Sequence, residues 1–132
     1  MNTTATLLFL AFGYLATVAI EAPLLVAFLP SHYSLRTRIG CGFWLTACTY
    51  PVVVLVIPNI AYGPFTWPVA LLVTEIWVAL TEVALLRAVS GRRLFASFRR
   101  EDWVVVLANL ASFLAGELFV SAWLSEIIKT LL

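Results

Sequence analysis

Charged residues are scarce in this 132-residue sequence. Only 11% of its residues are charged and 63% are hydrophobic, and its mean hydropathy is +1.03. Such a composition excludes an ordinary soluble domain. The formal net charge of +1 offers no attraction for nucleic acid or for acidic substrates, so no nucleic-acid partner is expected. The sequence therefore indicates an integral membrane domain, whose first partner is the lipid bilayer.

Histidine and cysteine are also scarce, which limits the possible cofactor sites. The single histidine, His32, lies in a predicted turn beside Pro30, so a haem would lack axial ligands and none is expected. Cys41 and Cys48 are seven residues apart, about 10 Å along a helix, which rules out an easy disulfide. We interpret both as small buried side chains. The sequence also lacks H-E-x-x-H, a glycine-rich phosphate loop and a Ser/His/Asp set, so nothing predicts an enzyme.

Four hydrophobic runs are long enough to cross a bilayer core, which takes about 20 helical residues. They cover residues 6–29, 39–57, 67–89 and 103–127. The connections between them are short, which favours antiparallel neighbours. The predicted fold is an all-α, up-and-down four-helix membrane bundle formed as a single domain by residues 1–132. The first run contains Glu21 and Pro23, so we interpret it as a retained span and not as a signal peptide.

Basic residues concentrate in or beside two connections, residues 30–38 and 90–102. The arginines concerned are Arg36, Arg38, Arg87, Arg92, Arg93, Arg99 and Arg100. Only Lys129 falls on the opposite side. The positive-inside rule therefore predicts that both connections are cytoplasmic and both termini lie outside. We expect the protein to lie in a bacterial inner membrane.

Glutamates occur in the middle of these runs, where an ionisable side chain costs about 2.5 to 3.5 kcal/mol. Glu21 and Glu75 each lie about 12 to 14 Å from a span end, near the middle of a core about 30 Å thick. Glu117 lies just beyond the middle of the fourth span. No Lys or Arg lies at this depth, and close carboxylates without a basic partner must take up protons or share a cation. These three glutamates are therefore the candidate proton or cation site.

Further polar residues are expected to support this site. Cys48, Thr49 and Tyr50 reach the same depth from the second span. Glu82, seven residues after Glu75, and Asn109, eight residues before Glu117, continue polar stripes along their helices: the supporting set is Cys48, Thr49, Tyr50, Glu82 and Asn109.

A structural role for the glutamates is the alternative interpretation. Protonated glutamates then act as interhelical hydrogen-bond groups, Glu21 with Tyr50 or Thr49 and Glu82 with Asn109. The sequence also suggests a duplicated helical hairpin, because the first and third spans each carry a glutamate about halfway along, before an arginine-bearing turn. On this reading Glu21 and Glu75 are equivalent.

Three short motifs extend over the first three spans. They are E-x-P at residues 21–23, T-Y-P at residues 49–51, and E-x6-E from Glu75 to Glu82. With these motifs the whole chain resembles a loose group of small, uncharacterised bacterial four-span membrane proteins. The resemblance implies a bacterial membrane bundle and carries no assigned activity. The group often has histidine where this chain has Tyr50, and tyrosine is a poorer metal ligand at neutral pH.

Two functions fit the sequence. The first is a membrane protein whose buried carboxylates handle protons or a cation, and a bound cation is then its only expected cofactor. The alternative is a non-catalytic accessory subunit of a larger membrane complex, of the electron-transfer or light-harvesting type. Five tryptophans and nine phenylalanines offer such a partner a large apolar surface. Either function is compatible with a homo-oligomer or a larger membrane complex.

Overall fold

The computed structural model of the chain describes residues 3–57 and 66–131, apart from the side chains of residues 3–6, 8, 9, 67 and 120–131. Within this part the chain forms helices only: α1 (Thr3–Phe28), α2 (Leu35–Leu55), α3 (Trp67–Val89) and α4 (Arg100–Leu131). All four helices contain a stretch long and apolar enough to span a membrane. The predicted all-α membrane bundle is confirmed, and its orientation across the membrane stays a prediction.

Local capping explains where α1 ends and α2 begins. Helix α2 begins at Leu35, before the hydrophobic run, because the Ser34 hydroxyl accepts a first-turn backbone N–H at 3.1 Å. Pro30 lacks an N–H, so the carbonyl of Val26 loses the donor that a continuing helix would supply. Arg38 Nη1 donates to that carbonyl at 3.1 Å instead. The turn between α1 and α2 is therefore closed by polar contacts that hydropathy does not report.

The four helices form a bundle in which each helix packs against two others. Helix α1 packs against α2 and α4, and α3 also packs against α2 and α4. Helices α1 and α3 are thus diagonally opposed, as are α2 and α4. Helices α1 and α2 approach closely at Gly42, where an added Cβ would lie 2.5 Å from the Cβ of Ala22. Only glycine at this position allows the two backbones to come so close.

The hydrophobic core fills one half of the bundle. We call the end that contains the connections 29–34 and 90–99 the basic end. Between this end and the middle of the bundle lies a cluster of buried residues, Leu25, Leu29, Cys41, Leu45, Val83, Leu86, Val105 and Ala108. These apolar side chains lie between the middle of the bundle and the basic end.

Buried ion pairs close the basic end. Arg87 donates to both carboxylate oxygens of Asp102, at 3.2 and 2.9 Å, and both side chains are almost completely buried. Arg92 pairs with Asp102 at 3.1 Å and with Glu101 at 3.0 Å. Glu101 and Asp102 occupy the first turn of α4, where carboxylates oppose the helix dipole favourably. Two arginines and two carboxylates thus balance their charges at this end.

The turn after α3 directs Arg92 into this network. Gly91 has a φ of +66°, a left-handed conformation that favours glycine. The N–H of Gly91 donates to the carbonyl of Ala88 at 3.2 Å, and that of Arg92 to the carbonyl of Arg87 at 2.8 Å. This pair of hydrogen bonds is the Schellman arrangement that reverses the chain after a helix. It turns the chain back so that Arg92 reaches the start of α4.

Candidate functional site

Glu21 is only 2% exposed, and its carboxyl group joins α1 to both neighbouring helices. The hydroxyl of Thr46 in α2 donates to Oε2 at 2.7 Å, and that of Ser112 in α4 donates to Oε1 at 2.6 Å. The expectation that Glu21 bonds to Tyr50 or Thr49 is therefore wrong. Thr49 donates to Glu82 of α3 instead. At 3.6 residues per turn, its side chain lies about 60° around α2 from that of Thr46, on the same broad face but nearer to α3.

Glu82, in the diagonally opposed helix α3, is bound in the same way. It is 1% exposed, and its Oε1 accepts a hydrogen bond from the Thr49 hydroxyl at 2.7 Å. Asn109 Nδ2 in α4 donates to Oε2 at 2.8 Å, so the predicted contact between Glu82 and Asn109 is confirmed. Each of the two glutamates thus ties its own helix to both flanking helices.

These contacts form a layer of polar side chains across the bundle, made of two hydrogen-bonded groups of three residues, each centred on one glutamate. We call it the glutamate ring, which consists of Glu21, Thr46, Thr49, Glu82, Asn109 and Ser112. Sequence reasoning missed two members, Thr46 and Ser112. The signal was available, because each lies three residues from a predicted partner, Thr49 or Asn109, and residues three apart are neighbours on a helix surface.

Glu21 and Glu82 occupy corresponding positions in their helices, which revises the predicted repeat. Glu21 and Glu82 each lie seven residues before the last residue of their helices, Phe28 and Val89. Residues 21–27 and 82–88 also share the pattern E-x-x-L-L-x-A. The structural equivalent of Glu21 is therefore Glu82, and not Glu75 as the sequence suggested. Glu75 lies at a similar distance from its nearer helix end, but that end is the one away from the basic end, so depth alone does not distinguish it from Glu82.

The hydroxyl groups of the ring each have a choice of acceptor. Thr46, Thr49 and Ser112 lie 3.0, 3.2 and 2.9 Å from a backbone carbonyl of the preceding turn. A hydroxyl group has one hydrogen and two lone pairs. When the glutamate is ionised, the hydroxyl donates its hydrogen to the carboxylate. When the glutamate is protonated, the hydroxyl accepts the carboxyl hydrogen and donates its own to the backbone carbonyl. The ring is therefore able to hold Glu21 or Glu82 with or without a proton.

A cavity of about 810 Å³ lies on the side of the ring away from the basic end. The ring forms its floor. Its walls carry two further carboxylates, Glu75 and Glu117, together with the aromatic residues Phe12, Tyr50, Phe113 and Phe119.

Small residues in this half of the bundle explain the cavity. The cavity is lined by Gly13, Ala16, Ala115 and Gly116. The half of the bundle towards the basic end is instead filled by leucines and other apolar side chains. Gly116 lies four residues after Ser112, on the same side of α4, and is exposed where it lines the cavity. A Cβ built on Gly116 would meet no atom within 4 Å. The space beside Gly116 is therefore open to a larger side chain or to a ligand.

The predicted site residues divide into those that border the cavity and one that does not. The cavity-lining members are Glu21, Thr49, Tyr50, Glu75, Glu82, Asn109 and Glu117. Cys48 is exposed on the outer surface, so its interpretation as a buried residue is wrong, whereas Cys41 is buried as expected. The buried stripe of α2 passes through Thr46 and Thr49, which leaves Ala47 and Cys48 facing outwards.

The two glutamates on the walls differ from those in the floor. Glu75 is half-buried and makes no hydrogen bond to another described residue, and Glu117 is exposed. No Lys or Arg is among the described residues that line the cavity. No group of three or more His, Cys, Asp and Glu side chains in the described part of the chain lies close enough together to hold one metal ion. The cavity is thus acidic without a compact metal-ligand set in that part.

Comparisons of the chain with protein-family models, with curated proteins and with solved structures find no match. The class of protein is defined by the fold and the site alone. It is a small four-helix membrane protein in which two buried, hydrogen-bonded glutamates form the floor of an acidic cavity.

Proposed function

We propose that the carboxylates of this cavity handle protons or a cation. The observation that carries the proposal is that Glu21, Glu75, Glu82 and Glu117 border one cavity whose described lining contains no basic side chain. An isolated carboxylate in an apolar medium is strongly disfavoured, so its charge must be neutralised by a proton or by a bound cation. Among the described residues, Arg87 and Arg92 are engaged at the basic end, so we expect the neutralising species to come from solution.

The chemistry of the floor supports protons at the ring. Asn109 Nδ2 supplies one hydrogen to Glu82 Oε2 and another to the carbonyl of Val105 at 3.1 Å. An amide N–H cannot accept, so a proton on Glu82 belongs on Oε1, where the Thr49 hydroxyl accepts it. At Glu21 both partners are hydroxyls, so either oxygen is able to carry the proton. Loss or gain of a proton then requires rotation of a hydroxyl group and no movement of a helix.

The arrangement of exposed and buried carboxylates supports entry from one side. Glu117 is exposed, Glu75 is half-buried, and Glu21 and Glu82 are buried. Beyond the ring, Leu25, Leu45 and other core residues close the way to the basic end. Within the described residues, we therefore expect exchange through the cavity from the side away from the basic end, as in a binding site. With the arginines on the cytoplasmic side, this side faces outwards.

Proton release from purified protein tests the proposal. Protein in a weakly buffered detergent solution is titrated with Na⁺, K⁺, Ca²⁺ or Mg²⁺ in turn, and the change in pH reports protons displaced from carboxyl groups. We expect at least one cation to release protons from the wild type, and Glu75→Gln to reduce the number released. Glu101→Gln is the matched control, because Glu101 is an acid of the basic end outside the cavity. If no cation releases protons and liposomes containing the protein show no proton or cation flux, the proposal is wrong.

A further inference from the structure

We infer that the cavity binds a hydrophobic organic cation of the quaternary ammonium or phosphonium class, with the positive charge beside Glu75. This inference rests on the proposed function, because the same carboxylates supply the attraction. It goes further by assigning the ligand's size and chemistry, which the dimensions and walls of the cavity indicate.

The size of the cavity favours a molecule over a bare ion. Its volume of about 810 Å³ falls within the range of about 300 to 1,000 Å³ that is typical of small-molecule pockets. A hard metal ion instead needs several oxygen ligands at about 2.0 to 2.6 Å. In the described part of the chain no three metal-ligating side chains come together in this way. The space therefore fits a ligand with many atoms.

The walls favour a ligand whose charge is surrounded by apolar groups. Besides the aromatic residues, the lining is aliphatic, with Ile20, Val53, Leu71 and Val78. Aromatic faces attract cations, and the recognition of quaternary ammonium groups by aromatic side chains is a recurring use of this interaction. Apolar walls with a small number of polar groups are also typical of organic-ligand sites. A strongly hydrated metal ion would gain little from such walls.

The distribution of hydrogen bonds identifies the carboxylate that holds the charge. Both oxygens of Glu21 and both oxygens of Glu82 accept hydrogen bonds from ring side chains. Glu75 lines the same cavity and has no hydrogen bond to a described residue. Its carboxylate is thus available for an ionic contact with a ligand, and Glu117 at the exposed part of the wall adds to the attraction. An anion would be repelled, because the charged side chains among the described lining residues are carboxylates.

Calorimetry with a pair of rigid probes tests this inference. Purified protein in neutral detergent is titrated with tetraphenylphosphonium and, separately, with tetraphenylborate, which has a similar shape and the opposite charge. We expect only the cation to bind. Glu75→Gln should weaken its binding at least about tenfold, because the charge attraction at a half-buried carboxylate in an apolar cavity is screened much less than at an exposed surface pair. Phe95→Ala, which removes a fully exposed aromatic side chain outside the cavity, should leave the affinity unchanged.

Gly116→Leu separates this inference from the proposed function. Leucine at this position extends into the open space beside α4 and leaves all four carboxylates in place. We expect the variant to lose tetraphenylphosphonium binding while proton release by an inorganic cation persists. Equal binding of both probes, or binding that survives Gly116→Leu and Glu75→Gln, would overturn the organic-cation assignment. If an inorganic cation releases protons but tetraphenylphosphonium does not bind, the organic-cation assignment is wrong and the proposed function stands. If neither proton release nor phosphonium binding is observed, both the assignment and the proposed function are wrong.

Discussion

Replacement of Gly42 by alanine tests the contact that places Glu21 in the ring. A Cβ at this position would lie 2.5 Å from the Cβ and 2.6 Å from the Cα of Ala22. Comfortable carbon contacts are about 3.5 to 4.0 Å, so helices α1 and α2 would have to separate by about 1 Å. Neither atom belongs to a flexible side chain that could rotate away. Overpacking of this kind costs about 1 to 3 kcal/mol.

Gly40→Ala is the matched control in the same helix, because a Cβ at Gly40 meets nothing within 4 Å. Both replacements gain about 1 kcal/mol of helix propensity, so their difference isolates the clash. We expect Gly42→Ala to unfold at lower denaturant, with a free energy of unfolding about 1 to 3 kcal/mol below that of Gly40→Ala. The assay is unfolding in mixed detergent micelles followed by tryptophan fluorescence. Equal stabilities of the two variants would refute the close approach of α1 and α2.

Three further changes are measured by the same unfolding assay. Gly91→Ala should destabilise by about 1 to 3 kcal/mol because the residue has a φ of +66°, and an unchanged stability would contradict the left-handed turn. Arg87→Met should cost about 1 to 3 kcal/mol, because Asp102 loses the hydrogen bonds from Arg87 but keeps its ion pair with Arg92. The double variant Arg87→Met/Asp102→Leu should recover part of this loss, and no recovery would mean that the pair is not coupled. Glu82→Gln keeps a hydrogen-bond donor and an acceptor for the glutamate ring, so its free energy of unfolding should stay within about 0.5 kcal/mol of the wild type. Glu82→Leu instead loses two interhelical hydrogen bonds of about 0.6 kcal/mol each. It also leaves Asn109 without this acceptor. Equal effects of Gln and Leu would contradict the hydrogen bonds of the ring.

The helices were predictable because long hydrophobic runs in a 132-residue chain allow few other structures. The buried glutamates were also predictable as a group, since a charged side chain at that depth has to face the interior of the bundle. Hydropathy placed the start of α2 too late, because the cap at Ser34 and the contact from Arg38 depend on individual polar atoms.

The partners of each glutamate were harder to predict. Thr46 and Thr49 are only three residues apart, yet one bonds to a glutamate of α1 and the other to a glutamate of α3. Which of them faces which helix depends on the order of the helices around the bundle, and no local pattern specifies that order. The same geometry places Cys48 outside, between two inward-facing threonines. The oligomeric state and the accessory-subunit alternative stay predictions.

Infrared spectroscopy of the carboxyl groups tests the central claim, that protons of the cavity glutamates exchange with the solution. Difference spectra are recorded between neutral and acidic pH for the wild type, for Glu75→Gln and for the control Glu101→Gln. The account predicts a band of protonated carboxyl groups that changes with pH in the wild type and in the control, and that is reduced in Glu75→Gln. A carboxyl band that remains constant with pH in all three proteins would contradict it, because the glutamates would then be permanent hydrogen-bond groups of a structural layer.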